Sequence, residues 1–271
     1  MEANTAIMSL VEIMSLLLAT LTIVLLWQHL LKKARSEDSN KASYLLPWCA
    51  TLVTLGWLSV SRVFSSESID LNFYNSLIVA SFVINLLALL GNTLKSVEYL
   101  GLLVLPCTMI TVLLGLRSPE ITTSPHMTAG MQVHIMTSLI AFSILGLAAV
   151  QAIFLFLQET SLRNHSRIGI VQSLPSLHDS ENILFQFIIT GVIVLTISLA
   201  TGLIYIEDIF AQHLAHKTTL SCLAWLVFLT LIVGRLRFGW RGRTAVKWAL
   251  GGFIFLILSY YGSKFVLELI L

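Results

Sequence analysis

Seven histidines in 271 residues are the side chains best suited to chemistry in this chain, because imidazole ligates metals and changes protonation near neutral pH. Four of them, His126, His134, His213 and His216, flank apolar stretches in two separate segments. Imidazole is the commonest axial ligand for haem iron, and two imidazoles from facing helices make a six-coordinate site. His134 is the sharpest of the four. It lies just inside an apolar helix in Met131-Gln132-Val133-His134-Ile135-Met136-Thr137-Ser138, where a polar ring needs a partner. The competing reading gives the ring a hydrogen bond to Ser138, at i+4, that only helps helices pack. His216 immediately precedes Lys217 and an apolar stretch, which makes it either a second ligand or a wetted interfacial residue. His213 reads as a solvated loop residue, and His29, His165 and His178 fall on the opposite side of the map drawn below.

The segment Gly234-Arg235-Leu236-Arg237-Phe238-Gly239-Trp240-Arg241-Gly242-Arg243 holds the densest run of charge. One reading is an anchor at the lipid headgroups, with Trp240 at that level. The other is a docking face for an acidic partner or a lipid, carried by Arg235, Arg237, Trp240, Arg241 and Arg243. Paired carboxylates, a G-x-S-x-G turn, H-E-x-x-H and a phosphate loop are all missing, so no catalytic residue is expected and the chain does not read as an enzyme. Cys49, Cys107 and Cys222 lie singly in apolar stretches, which indicates neither a disulfide framework nor a zinc site. No basic tract suggests nucleic acid.

The elements that must position these residues are membrane helices. Of the chain, 56% is hydrophobic and 11% charged, with a mean hydropathy of +0.88, and no water-soluble fold hides that much apolar surface. Apolar stretches recur at 7–28, 44–63, 73–93, 98–116, 130–157, 182–205, 218–234 and 247–268, each near the roughly twenty residues that cross a bilayer core. They are apolar on every face, so they predict helices rather than alternating barrel strands. The first, preceded by Glu2 and without a cleavage site, reads as a retained span. The expected fold is an all-α bundle of about eight transmembrane helices forming a single integral membrane domain over 1–271. Odd-numbered loops collect twelve Lys and Arg against three in even-numbered loops (Arg62, Arg117 and Lys217), which predicts odd loops in the cytoplasm and both termini on the outer, periplasmic side. The short turn carrying Lys95 and Glu98 makes 73–116 the hardest pair of spans to separate. Apart from Asn85, Gln151 and Gln186 the span interiors read as nearly free of polar groups, which argues against transport. Ala148 and Ala152, one turn apart, suggest close packing in the fifth span, and Lys264 with Glu268 reads as a pair near the outer end of the last.

From His134, with Ser138 and Phe142, onward, the chain resembles the cytochrome c assembly proteins, the haem-handling membrane proteins of the CcsA and CcmC types, and within them the YpjD and HemX branch. The resemblance also rests on Lys217-Thr218-Thr219-Leu220-Ser221 leading to Ala224-Trp225, on Gly239-Trp240-Arg241-Gly242, on Gly252-Phe253 and on Tyr261-Gly262-Ser263. It covers 129–271 by motif and 1–128 by pattern. It implies a multi-pass protein of a bacterial inner membrane, with haem as cofactor and His134 as a family ligand. The loop that in relatives carries a tryptophan-rich haem motif here runs from Glu207 to Lys217 without a tryptophan, and the last span lacks the relatives' second external histidine. The resemblance therefore implies haem association or an assembly accessory rather than haem presentation, with His216 as a second ligand by position. The HemX likeness implies the alternative, a cofactor-free regulatory subunit that docks a tetrapyrrole-pathway protein through the basic loop.

Overall fold

A backbone in hydrocarbon has no water to bond, so it must satisfy its own N–H and C=O groups, and the α-helix does this within each segment. The computed structural model describes residues 2–63, 72–116, 129–164, 169–205 and 212–262, with the backbone alone at 2–6, 94, 129, 170 and 212–216. Among the described residues the elements are α1 (Glu2–Ala34), α2 (Ala42–Val63), α3 (Phe73–Leu94), a 3₁₀ turn (Glu98–Leu100), α4 (Gly101–Gly115), α5 (Ala129–Arg163), a second 3₁₀ turn (Gly169–Ser173), α6 (Leu177–Tyr205), α7 (Gln212–Phe238), α8 (Gly242–Ile257) and a π turn (Leu258–Gly262). Among the described residues eight helices are long and apolar enough to cross a membrane, and each overlaps a predicted stretch. The hard pair at 73–116 is two helices, separated at the turn that begins with Glu98. Large side chains such as Leu17, Val53, Ile193 and Leu203 are more than half exposed. In a bilayer these positions face acyl chains.

Polar residues set the helix ends. The Asn72 side chain accepts the Asn75 N–H at 2.8 Å and caps α3. Ahead of α6, Ser176 Oγ accepts the Asp179 N–H at 3.2 Å while its hydroxyl donates to the Asp179 carboxylate at 2.6 Å. Such caps satisfy N–H groups that the first helical turn leaves open.

The chain forms two compact units, Met1–His126 with Arg167–Leu174 and Met127–Ser166 with Pro175–Leu271. In the first, α1–α4 enclose more polar groups than the Asn85 that the sequence singled out. At one end the Arg62 guanidinium pairs with the Glu12 carboxylate and donates to Gly115 O at 2.8 Å. Midway, Asn85 accepts from Trp48 Nε1 at 3.0 Å and donates to Thr108 Oγ1 at 2.7 Å and Ser81 O at 2.8 Å. Ser81 and Thr111 share a hydroxyl bond of 2.8 Å. At the far end Lys33 pairs with buried Glu98, Asn92 donates to Tyr44 Oη at 3.1 Å, and the His29 ring packs on Tyr44 with centroids 4.6 Å apart. The expectation of nearly nonpolar interiors is therefore corrected for this unit. Arg62, counted from the sequence as a loop cation, is 8% exposed inside it.

In the second unit α5 packs along α6 and α8. Ala148 and Ala152 are fully buried, as their spacing predicted. Gly191 on α6 admits Leu145 so closely that a Cβ there would lie 2.6 Å from its side chain. Lys264 and Glu268 lie outside the described residues.

Candidate functional site

His134, Ser138 and Phe142 recur at i, i+4 and i+8 of α5 and so share one helix face. Counting about 1.5 Å per residue from the α5 midpoint near residue 146 puts His134 about 18 Å along the axis, at the edge of a hydrocarbon core about 30 Å thick. The ring is part-exposed and its Nδ1 lies 2.9 Å from Ser198 O on α6, with Thr201 Oγ1 at 3.4 Å. A carbonyl oxygen only accepts, so Nδ1 carries the proton and donates it. Nε2 is then the nitrogen with the lone pair, and among the described residues no protein group is bonded to it. Gly202 makes the ring's position possible, since a Cβ there would lie 2.8 Å from His134 Cε1.

The expected ring bond to Ser138 does not form. Ser138 Oγ donates instead to the backbone oxygen of His134 at 2.7 Å and lies 2.7 Å from Ser198 Oγ, tying α5 to α6. Ser198, Thr201 and Gly202 were missed from sequence, although Ser198-Leu199-Ala200-Thr201-Gly202 is a rare small and polar run within an apolar helix.

Below His134 the Phe142 ring meets Phe253, Tyr260 and Tyr261 at centroid distances of 5.3, 5.7 and 5.2 Å. The two tyrosines sit on the π turn, an irregularity that recurs at functional sites. Ser259 holds the turn to α7: its hydroxyl donates to Lys217 O at 2.8 Å and lies 2.6 Å from Ser221 Oγ. Lys217 Nζ lies 5.2 Å from the Tyr260 ring centroid.

His213 and His216 stand in the first turns of α7 rather than in a loop, and their side chains lie outside the described residues, as do His126 and His165 entirely. His29 is buried in α1 at 4% exposure. Among the described residues no group of three or more His, Cys, Asp and Glu could hold a bare metal ion.

At the basic segment three glycines fix the backbone. Gly234 seats the Trp240 ring, Gly239 takes φ +66° to end α7, and Gly242 takes φ +52° while its N–H donates to Glu181 Oε1 at 2.9 Å. Glycine alone adopts positive φ without steric cost. Arg235 pairs with Glu181 at 3.9 Å and bonds Asn182 at 3.1 Å, while Arg243 pairs with Glu159 at 3.4 Å. Arg237 and Arg241 are exposed, and Trp240 stacks between Phe238 and Trp248 at 6.3 and 5.3 Å.

The fold defines a multi-pass helical membrane protein, with a part-exposed imidazole near the start of α5 held by its Nδ1 to Ser198 O on α6. The model of the cytochrome C assembly protein family matches residues 45–271, and the chain belongs to that family. The match begins in α2, further toward the N-terminus than the motifs reached. The chain is 32% identical over 200 residues to the inner membrane protein YpjD of Escherichia coli K12, covering 72% of this chain and 76% of that one. It is 34% identical over 140 residues to an uncharacterized 28.8 kDa protein of Azospirillum brasilense, covering 51% and 52%. To the cytochrome c biogenesis protein CcsA of Prochlorococcus marinus subsp. pastoris it is 24% identical over 107 residues, covering 38% and 34%. No solved structure matches.

Proposed function

We propose that this chain is a haem-associated accessory of cytochrome complex assembly in a bacterial inner membrane, without catalysis of its own. Haem docks from the outer side, where both termini also lie, and His134 Nε2 is an axial ligand. The observation that carries this reading is the Nδ1–H bond to Ser198 O. Such a bond fixes the tautomer that leaves Nε2 free and orients the ring, as the outer partners of metal-bound histidines do. The residues present fit a porphyrin: a lone-pair nitrogen, a rigid ring cluster at Phe142, Tyr260 and Tyr261, and a cation at Lys217. Bound haem would supply an iron that accepts the imidazole. The protein's part is to hold the ring in place on α6 and to wall the site with aromatic side chains. His216, on α7, is the proposed second ligand, because one imidazole with open coordination holds haem weakly.

The test is the absorbance spectrum of the detergent-purified full chain with haem, beside His134→Ala and His216→Ala. A six-coordinate spectrum lost in each variant is expected. A Soret band unchanged in both would contradict the ligand assignment.

A second reading, docking of a partner protein or lipid at the basic segment, is favoured by one observation. Arg237 and Arg241 are exposed, and no acid pairs with them among the described residues. Arg235 and Arg243 are each paired with an internal acid, so Arg237, Trp240 and Arg241 carry the docking face. Co-purification of a partner that survives charge reversal at Arg237 and Arg241 would contradict it.

A further inference from the structure

Among the described residues four cations that are buried or part-exposed each meet a carboxylate: Arg62 with Glu12, Lys33 with Glu98, Arg235 with Glu181 and Arg243 with Glu159. Lys217 breaks the pattern. It begins the membrane span of α7 and is only part-exposed, yet among the described residues no carboxylate is paired with it. Its ammonium lies 5.2 Å from the Tyr260 ring centroid. A cation held part-buried against an aromatic ring without an acid is costly unless something charged completes it. Lys217 is also held in place, because Ser259 bonds its backbone oxygen and so ties the start of α7 to the π turn.

That turn carries Tyr260 and Tyr261, whose rings meet Phe142, and Phe142 shares the His134 face of α5. The same end of the second unit thus holds an imidazole whose Nε2 has no protein partner among the described residues, a packed aromatic cluster and an ammonium with no carboxylate among the described residues. A ligand that uses all three is flat and apolar in its body, offers a metal to the imidazole and carries a carboxylate at its edge. We infer that Lys217 is the counter-charge for a carboxylate of the ligand held at His134, which selects a porphyrin with free propionates over an esterified one. The inference rests on the reading of His134 as a haem ligand and deepens it.

The experiment titrates the full chain in detergent with haem and with haem dimethyl ester, which keeps the iron and ring but has no free carboxylate. Lys217→Gln is expected to weaken haem binding at least about tenfold, the size of a lost charge-assisted bond, while leaving the ester's affinity unchanged. Lys217→Arg should retain most of the haem affinity. Unchanged haem affinity in Lys217→Gln, or an equal loss for both ligands, overturns the inference. Metal-free protoporphyrin, followed by its fluorescence, separates the two claims. If haem shows no spectrum that depends on His134, but protoporphyrin binding still falls in Lys217→Gln, iron ligation is wrong and the carboxylate assignment stands. If protoporphyrin binding is indifferent to Lys217, the assignment falls whatever the iron does.

Discussion

The two compact units handle polar groups differently. In the first, Asn85 bonds Trp48 and Thr108 midway along α2–α4, and buried Arg62 pairs with Glu12 at one end. In the second, the long helices α5 and α6 are close-packed, Gln151 donates to Ser180 O at 3.0 Å and Trp225 to Thr196 Oγ1 at 2.9 Å, and further polar groups gather toward the helix ends, at His134 and at the basic segment. The difference separates glue from site. A buried polar group with its bonding capacity met holds helices together, whereas a reachable group with one valence open invites a ligand. Access matters as much as the open valence. His29 Nδ1 and Glu98 Oε2 in the first unit also lack partners, but those residues are 4% and 1% exposed. His134 keeps its open nitrogen on a part-exposed ring.

Removing one member of the buried ion pair should have the largest effect. Glu12→Ala removes the carboxylate paired with buried Arg62 and should cost about 3–5 kcal/mol of stability, read as a lowered thermal transition, with haem affinity preserved if the chain is held folded. Loss of haem binding in the folded variant would break the division between glue and site.

Gly202→Ala should act in the reverse sense. Its new Cβ would fall 2.8 Å from His134 Cε1, so the ring must shift and lose its bond to Ser198. Haem affinity should drop by about tenfold, the value of one hydrogen bond to a ligating imidazole, and the thermal transition should move little. A haem titration identical to that of the unaltered protein would mean that the ring's seat on α6 does not matter.

Asn85→Ala and Ser138→Ala sharpen the comparison at smaller magnitude. Asn85→Ala strands the Trp48 N–H in the middle of the first unit and should cost about 1–3 kcal/mol. Ser138→Ala removes a hydroxyl bond between α5 and α6 and should cost about 0.6 kcal/mol, the mean for such bonds in membranes. Thermal melts in a common detergent would rank them, and equal costs would erase the distinction.

The spans were legible because hydrocarbon imposes a length and an all-round apolar composition on every helix, and these show in any window of the sequence. Even the hard pair at 73–116 separated where Glu98 predicted. His134 was legible because one imidazole in Met131–Ser138 has few companions. What joins it to the fold was not. Ser198 and Gly202 lie on α6, and a hydroxyl at i+4 looked like the nearer partner until the Ser138 side chain proved to bond backwards within α5. The ladder through the first unit was hidden for the same reason: Trp48, Asn85 and Thr108 sit on three helices, and each alone looks like a lone polar residue in an apolar run. Arg235 and Arg243 read as surface charge because their acids, Glu181 and Glu159, lie on α6 and α5.

The central claim is that His134 Nε2 ligates haem iron, and chemical rescue tests it most directly. In His134→Gly the full chain should lose the imidazole-ligated Soret spectrum, and free imidazole diffusing into the vacated space should restore it. An unaltered spectrum in His134→Gly, before any imidazole is added, would contradict the account.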